Sequence, residues 1–465
     1  MTPIGHNLGY LKAYDWSPDD RLVAFCDFAS NTVSTLWVIE AASGEKTLLS
    51  PRGETQPGYY GSPQFSKDAK GVYVITDRSS EFRRLAYVDL ATRWHKYLSD
   101  DIRWDVEELN LSPDGKTLAF VTNEDGISRL HLLDVESGKE KPVAALPAGI
   151  ISGLKWHSNS ADLAFDFKSP RTPNDVYSLD AGTGKVERWA KGFIGQVDAE
   201  KLPKPELIRW KSFDGRLISG FLYRPAGVSP GKRPVIIDIY GGPEEQSRPG
   251  FGYEDNYFIN ELGVVKIYPN VRGSTGYGKT FANLDNGKLR MNAIKDVGAL
   301  LDWVKSQPDL DADRVMVQGV SYGGYVALSV AADYGGRIRA ALSDSGPTNL
   351  ATSLEGTAGW RRDLKRLEYG DERDPGMREF LDRSAPVNNV DKMKKPMMII
   401  QGGNDQRVPA GEAGRLARAL KNKGVAVWYL LAKDEGHDWS RQGNLDYRLY
   451  AMALFVREQL LKQTP

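Results

Sequence analysis

The chain has 465 residues, and its 61 Lys and Arg residues balance 61 Asp and Glu residues. One hydrophobic core rarely supports this length, so two domains are expected. Balanced charge without a long basic run argues against nucleic acid as a partner. The single cysteine, Cys26, excludes an internal disulfide, and no Cys/His spacing fits a metal site, so we expect neither a metal nor a cofactor.

The N-terminal residues give an expectation about location. Residues 1–20 lack the basic start and apolar core of a signal peptide. No apolar run approaches the roughly 20 residues that a membrane helix needs. The sequence as written therefore predicts a cytoplasmic protein without membrane contact, while a longer native form would leave export open.

A unit recurs four times in the first 200 residues. In each copy, a turn rich in Ser, Pro, Asp and Gly precedes a strand of β-branched and aromatic residues. The aligned serines are Ser17, Ser66, Ser112 and Ser158, spaced 46 to 49 residues apart. This period is typical of propeller blades, whereas an unrelated sandwich seldom repeats one signature at a fixed interval. The pattern predicts an all-β, propeller-like domain of about four blades over residues 1–197.

The first repeat lies almost at Met1, which leaves two interpretations open. The array is either naturally short or a piece of a longer propeller. An incomplete propeller would leave strand edges exposed, and such edges favour pairing between chains. A homo-oligomer is therefore expected.

The pattern changes after LPKP (202–205), which is typical of a linker. Short apolar strands then alternate with helical stretches, as in a mostly parallel sheet covered by helices. The predicted strands are 234–240, 264–269, 314–319, 396–402 and 425–431, and the clearest helices are 293–306 and 411–422. Residues 198–465 are therefore predicted to form an α/β-hydrolase domain.

A candidate nucleophile lies in GVSYGG (319–324), between the predicted strand RVMVQ and a helix. Gly319 and Gly323 flank Ser321, as a nucleophile elbow requires, because larger side chains would clash with the backbone of the tight turn. The motif alone also fits a structural glycine turn. The strand–turn–helix context favours Ser321 as the nucleophile.

A base and an acid complete the candidate triad. His437 is the only histidine beyond residue 200, and it follows a predicted strand, so it is the expected base. Asp405 follows the predicted strand 396–402. The resulting order Ser, Asp, His along the chain is the one expected for α/β-hydrolases. The competing acids are Asp344, Asp434, Glu435 and Asp438; position alone favours Asp405.

Acyl transfer also needs hydrogen-bond donors for the oxyanion. The backbone N–H of Tyr322, directly after the nucleophile, is the first candidate. Tyr240 in YGGP (240–243) is the second, through its phenolic hydroxyl. A core-packed aromatic at the end of a strand is the alternative role for Tyr240.

The chain resembles the prolyl oligopeptidase family of serine peptidases over nearly its whole length. The segments that carry the resemblance are DGR (214–216), YGGP (240–243), NVRGSTGYG (270–278), GVSYGG (319–324), GGNDQRVP (402–409) and EGH (435–437). The resemblance implies that Tyr240 donates its hydroxyl to the oxyanion. Tyrosine there is similar to the prolyl oligopeptidase and dipeptidyl-peptidase branches, while the rest of the domain looks more like the acylaminoacyl-peptidase branch.

The resemblance also implies a short peptide or acylated substrate. Exopeptidases of the family bind the substrate amine with paired acids, for which Glu244 and Glu245 are candidates beside a surface-charge alternative. Tyr325 and Trp360 are candidates for an apolar acyl pocket, although core packing explains such aromatics equally well. Three functions remain open: a serine peptidase that forms an acyl-enzyme, a carboxylesterase with the same triad, and a catalytically silent binding scaffold.

Overall fold

The computed structural model describes residues 10–51, 58–226 and 231–462, except the side chain of Trp360. These residues form two compact units. The first comprises residues up to Ala199 together with Arg248–Phe251 and Thr275–Phe281. The second comprises Glu200–Ser247, Gly252–Ser274 and the remainder of the chain from Ala282.

The first unit contains four antiparallel sheets of four strands each, and each sheet is built from consecutive strands. The strands are β1 Tyr10–Trp16, β2 Leu22–Phe28, β3 Ser34–Glu40, β4 Lys46–Leu48, β5 Tyr60–Phe65, β6 Gly71–Thr76, β7 Arg84–Asp89, β8 His95–Tyr97, β9 Asp105–Leu111, β10 Thr117–Glu124, β11 Ile127–Asp134, β12 Glu140–Lys141, β13 Ile150–Trp156, β14 Asp162–Ser169, β15 Thr172–Asp180 and β16 Val186–Ala190. Within residues 10–51 and 58–190, the predicted count of about four blades is confirmed.

Neighbouring blades share their apolar cores. One cluster joins β2 and β3 of the first blade to β5–β7 of the second, and a second cluster joins the second blade to the third. A third cluster joins the third blade to the fourth. Since a four-stranded meander cannot bury both faces by itself, each sheet depends on the adjacent one for its core.

A buried side chain fixes the turn between the first two strands of three blades. The hydroxyls of Ser17, Ser66 and Ser112 each accept the N–H five residues further on, at 2.9 to 3.1 Å. In the fourth blade, the backbone bond that marks this turn position is made by His157, whose N–H donates to Asp162 O at 2.8 Å. The prediction that Ser158 is the fourth repeat position is therefore wrong by one residue.

The second unit is built around an eight-stranded mixed sheet. Its strands are β17 Glu206–Lys211, β18 Leu217–Tyr223, β19 Arg233–Ile239, β20 Val265–Asn270, β21 Leu310–Val320, β22 Ala340–Asp344, β23 Met397–Gly402 and β24 Val427–Ala432. Their order in the sheet is β17-β18-β20-β19-β21-β22-β23-β24. The first two pairings are antiparallel, and all the others are parallel.

Helices connect and cover these strands. The α-helices are α1 Lys279–Ala282, α2 Met291–Ser306, α3 Tyr322–Asp333, α4 Leu350–Gly356, α5 Gly359–Tyr369, α6 Pro375–Ser384, α7 Ala410–Asn422 and α8 Gln442–Val456. Short 3₁₀ segments lie at Ala199–Lys201, Gly287–Arg290, Gly335–Arg337 and Pro386–Lys392, and π-helical turns lie at Tyr257–Glu261 and Arg457–Leu461. None of the helices in the described ranges is both long and apolar enough to cross a bilayer.

The parallel part of the sheet decides where a site can form. Strands β22 and β23 are buried along their whole length and β21 is buried from Val315 to Gly319, as expected when helices cover both faces. Because β21 to β24 run parallel, their carboxyl ends lie at one edge of the sheet. The predicted fold class, a propeller-like domain followed by an α/β-hydrolase domain, is confirmed.

Candidate active site

Ser321 makes a sharp turn between strand and helix. β21 ends at Val320 and α3 begins at Tyr322, so Ser321 alone connects them. Its backbone lies at φ 55° and ψ −122°, a conformation that is strained for every residue except glycine. The Ser321 N–H donates to Asp344 O at 2.8 Å, which fixes the turn against the neighbouring strand. The side chain is thereby held at the carboxyl edge of the sheet.

The glycines around Ser321 are required by close backbone approaches. A Cβ on Gly323 would lie 1.9 Å from Ile239 O, and one on Gly319 would lie 2.4 Å from the Gly323 carbonyl carbon. A Cβ on Gly241 would lie 3.3 Å from Ser321 Cβ, so the segment after β19 passes beside the serine. The glycine spacing seen in the sequence therefore has a steric cause in this fold.

Asp405 and His437 are joined by a hydrogen bond. His437 Nδ1 donates to Asp405 Oδ2 at 2.7 Å, and both side chains are almost fully buried. The other carboxylate oxygen of Asp405 accepts the backbone N–H of Arg407 at 2.8 Å and of Val408 at 2.9 Å. Because a carboxylate only accepts, the ring proton lies on Nδ1 and leaves Nε2 free to accept a proton.

The competing acids have other partners. Asp344 pairs with Arg448 at 3.2 Å and also accepts from Ser345 Oγ. Burial raises the pKa of the Asp344 carboxyl, against the opposing charge of Arg448. The remaining acids bond within or near the histidine loop: Asp434 to Arg441 and Asn444, Glu435 to the N–H groups of Ser440 and Arg441, and Asp438 to Arg407. Of the acids considered, Asp405 is the one for which a bond to His437 is observed.

The two candidate oxyanion donors lie on segments that flank Ser321. Tyr240 directly follows β19, and its hydroxyl lies 2.5 Å from Ser274 Oγ. Ser274 Oγ donates its own proton to Val271 O at 2.5 Å, so the Tyr240 hydroxyl is the donor to Ser274. Sequence reasoning missed Ser274, although it lies within the NVRGSTGYG segment. Tyr322 N–H lies at the first position of α3, where backbone N–H groups lack partners within the helix.

The substrate-binding candidates differ in exposure. Tyr325 has 1% of its surface exposed and stacks on Tyr322 at 5.8 Å, which is core packing and offers no surface to a substrate. The side chain of Trp360 lies outside the described residues. Glu244 is buried and Glu245 is exposed, although partial desolvation by its surroundings raises the pKa of the Glu245 carboxyl. The surface-charge alternative therefore fits Glu245 and does not fit Glu244.

Arg272 links two of the segments that carry the family resemblance. The Arg272 guanidinium binds Asp296 at 2.8 and 2.9 Å and Asp214 at 3.1 and 3.2 Å. Arg272 N–H also donates to Asp296, whose other oxygen accepts from Ser212 Oγ. DGR (214–216) and NVRGSTGYG (270–278) are thus tied together through α2. Their role in this structure is to hold the segment that carries Ser274.

The mixed eight-stranded sheet, the helices that cover it and the sharp strand–helix turn at Ser321 define the α/β-hydrolase class. Residues 249–463 match the model of the prolyl oligopeptidase family. Residues 249–463 therefore form a prolyl oligopeptidase family domain.

Similar proteins span most of the chain. Dipeptidyl aminopeptidase BIII of Pseudoxanthomonas mexicana is 26% identical over 88% of this chain and 67% of its own length. Dipeptidyl-peptidase 5 of Porphyromonas gingivalis is 23% identical over 92% of this chain and 64% of its own length. A solved puromycin-hydrolysing peptidase of Mycobacterium tuberculosis superposes with a TM-score of 0.85 at 21% identity, covering 96% of this chain and 69% of that structure. The chain thus spans about two thirds of these relatives.

Proposed function

We propose that this chain is a serine peptidase that hydrolyses short peptides through an acyl-enzyme. Ser321 is the nucleophile, His437 the base and Asp405 the acid that orients the base. The observation that carries the proposal is the 2.7 Å bond from His437 Nδ1 to a carboxylate anchored by two backbone N–H groups. This bond gives the imidazole the tautomer that can accept a serine proton.

The reaction proceeds in two stages. His437 Nε2 takes the proton from Ser321 Oγ as the oxygen attacks the peptide carbonyl carbon, and the carbonyl electrons move to the oxygen. Tyr322 N–H stabilises the oxyanion together with the Tyr240 hydroxyl, which turns its proton from Ser274 Oγ to the oxyanion. His437 then gives its proton to the amine, which leaves as the carbon–nitrogen bond breaks. Water attacks the acyl-enzyme by the same route and restores Ser321.

Dipeptide release is the first specificity to test. The two relatives described above are named as a dipeptidyl aminopeptidase and a dipeptidyl-peptidase, and Glu245 is an exposed acid three residues beyond Gly242. We propose that Glu245 binds the free amine of the substrate. Glu245→Gln is then expected to raise KM for dipeptidyl amides with a free amine and to leave KM for N-acylated amides unchanged. An equal change for both substrates would remove Glu245 from amine recognition.

A fluorophosphonate probe tests the nucleophile. The wild-type chain is expected to be labelled at Ser321, while Ser321→Ala and His437→Ala are expected to lose labelling although they stay folded. Folded wild type without labelling would overturn the proposal and favour a silent binding scaffold. Labelling that persists in Ser321→Ala would assign the nucleophile elsewhere.

A substrate panel separates peptidase from esterase. The panel contains dipeptidyl, N-acylaminoacyl and Xaa-Pro chromogenic amides beside short-chain esters. Ester cleavage makes less demand on leaving-group protonation, so the triad chemistry alone permits both activities. Hydrolysis of at least one amide class is expected. Turnover of esters without any amide would replace the peptidase by a carboxylesterase.

A further inference from the structure

Four buried charged side chains in the second unit take no part in the reaction described above. Asp285 and Arg290 are fully buried, and Lys365 and Glu368 are 8% and 2% exposed. Two positive groups thus face two negative ones away from water. Burying ions carries a large desolvation penalty, and well-packed apolar residues are often equally stable in their place. The contacts of the four side chains indicate what else they do.

The first arm of the cluster holds the side chain of Tyr322. Tyr322 Oη donates to Asp285 Oδ2 at 2.8 Å, and the Arg290 guanidinium lies 5.1 Å from the Tyr322 ring. Tyr369 stacks near the same ring at 6.3 Å, with Tyr325 beyond it at 5.8 Å. These contacts leave the tyrosine no freedom to turn. The backbone N–H of the same residue is the first oxyanion donor.

The second arm reaches the segment that carries the other donor. Lys365 Nζ donates to the carbonyl oxygen of Gly242 at 3.3 Å and to Glu368 Oε2 at 2.5 Å. Gly242 lies two residues after Tyr240, and the intervening Gly241 passes beside Ser321. Lys365 thus ties the segment 240–243 to helix α5.

One bond connects the two arms. Arg290 Nη2 donates to the backbone carbonyl of Glu368 at 2.6 Å, while Arg290 Nη1 faces Asp285 at 3.5 Å. A continuous path therefore runs from Gly242 through Lys365 and Glu368 to Arg290, and from there to the residue after the nucleophile.

We propose that this cluster positions both oxyanion donors, with Lys365 as the positioning residue for the Tyr240 segment. The inference rests on the proposed peptidase function. Donors in an oxyanion site act only when they are held where the charge develops, so a small displacement lowers kcat rather than substrate binding. The charges are retained because directional bonds hold a backbone carbonyl in place, which apolar packing does not.

The test replaces the ion pair as a unit. Lys365→Met alone would leave the buried Glu368 carboxylate without its cation, so the variant is K365M/E368Q. We expect kcat on a chromogenic amide to fall about 10- to 100-fold, with KM changed less than about twofold. The matched control is R366M/E372Q, which removes an ion pair between the partly buried Arg366 of α5 and the buried Glu372 beyond its end. Arg366 also pairs with Asp363 and Asp371.

A second measurement separates positioning from general stability. In a Tyr240→Phe background, K365M/E368Q is expected to lower kcat much less than in the wild type, because the hydroxyl that it positions is already gone. Multiplicative losses, or an equal loss of kcat in R366M/E372Q, would overturn the inference. Tyr322→Phe tests the first arm if the pair variant does not fold, and an unchanged kcat there would also overturn it.

The two proposals fail in different ways. A wild-type chain without labelling or hydrolysis overturns the proposed function itself. A wild-type chain that hydrolyses amides, with a folded K365M/E368Q variant of unchanged kcat, overturns the positioning role and leaves the peptidase intact.

Discussion

Replacing Asp405 by asparagine turns one acceptor of the proposed triad into a donor. Oδ2 of Asp405 accepts from His437 Nδ1 at 2.7 Å and from Gln401 Nε2 at 3.0 Å. Oδ1 accepts two backbone N–H groups, those of Arg407 and Val408, at 2.8 and 2.9 Å. An asparagine has a single carbonyl oxygen, so it can serve only one of these two sides.

The surroundings decide which side keeps the oxygen. If the asparagine oxygen faces the two backbone N–H groups, its NH₂ group opposes one other donor, Gln401 Nε2. In the opposite orientation the NH₂ group opposes both backbone N–H groups. The second orientation therefore loses one more hydrogen bond, which costs about 1–3 kcal/mol. The new NH₂ group then donates to His437 Nδ1 and moves the ring proton to Nε2. Because Nε2 can no longer accept the proton of Ser321, kcat is expected to fall about 10⁴-fold.

Steady-state kinetics on a chromogenic amide measure this loss, and the fluorophosphonate labelling rate checks it independently. KM should stay near the wild-type value, since the change does not touch the substrate. The control is Asp438→Asn, one residue after the histidine, where an exposed carboxylate pairs with Arg407 at 3.0 Å and a change below about twofold is expected. A loss below about tenfold for Asp405→Asn would refute the assignment of the acid.

Three further predictions concern single positions. Tyr240→Phe should lower kcat about 10²- to 10³-fold with KM unchanged, and wild-type rates would exclude its hydroxyl from the mechanism. Gly323→Ala should prevent folding or sharply lower Tm, because its Cβ would lie 1.9 Å from Ile239 O, whereas Gly443→Ala meets nothing within 4 Å and should keep or raise Tm. Burial raises the pKa of the Cys26 thiol to about 12, so iodoacetamide at pH 8 should modify only the unfolded protein, as read by mass spectrometry; rapid alkylation of folded protein would contradict this.

Most of the fold could be predicted because its elements carry strong periodic signals. The predicted strand 234–240 is β19 Arg233–Ile239, and the predicted helix 293–306 is α2 Met291–Ser306. The outer strands of the blades carry no such signal. β12 is Glu140–Lys141, two charged residues that are extended only because β11 pairs with them. Sequence patterns report burial, and these strands are largely unburied.

The candidate site divides in the same way. Ser321, Asp405 and His437 lie in the segments that follow β21, β23 and β24, so the sequence predicts that they share one edge of the sheet. Lys365 and Arg290 gave no such signal, because helices and turns far apart in sequence bring them together. A buried lysine is also indistinguishable from a surface lysine in a sequence, since most lysines are exposed.

The backbone of Ser321 sets catalysis and stability against each other. A φ of 55° with a ψ of −122° is costly for any side chain with a Cβ and nearly free for glycine. Ser321→Gly would therefore relieve the strain and yield a sturdier but inert protein, whereas Ser321→Ala would keep the strain and lose the hydroxyl. Selection for activity has to act against this drift in every generation. In a descendant that no longer needs catalysis, a glycine at this position would raise stability without cost. A glycine there would therefore indicate a relative that has lost activity and gained stability.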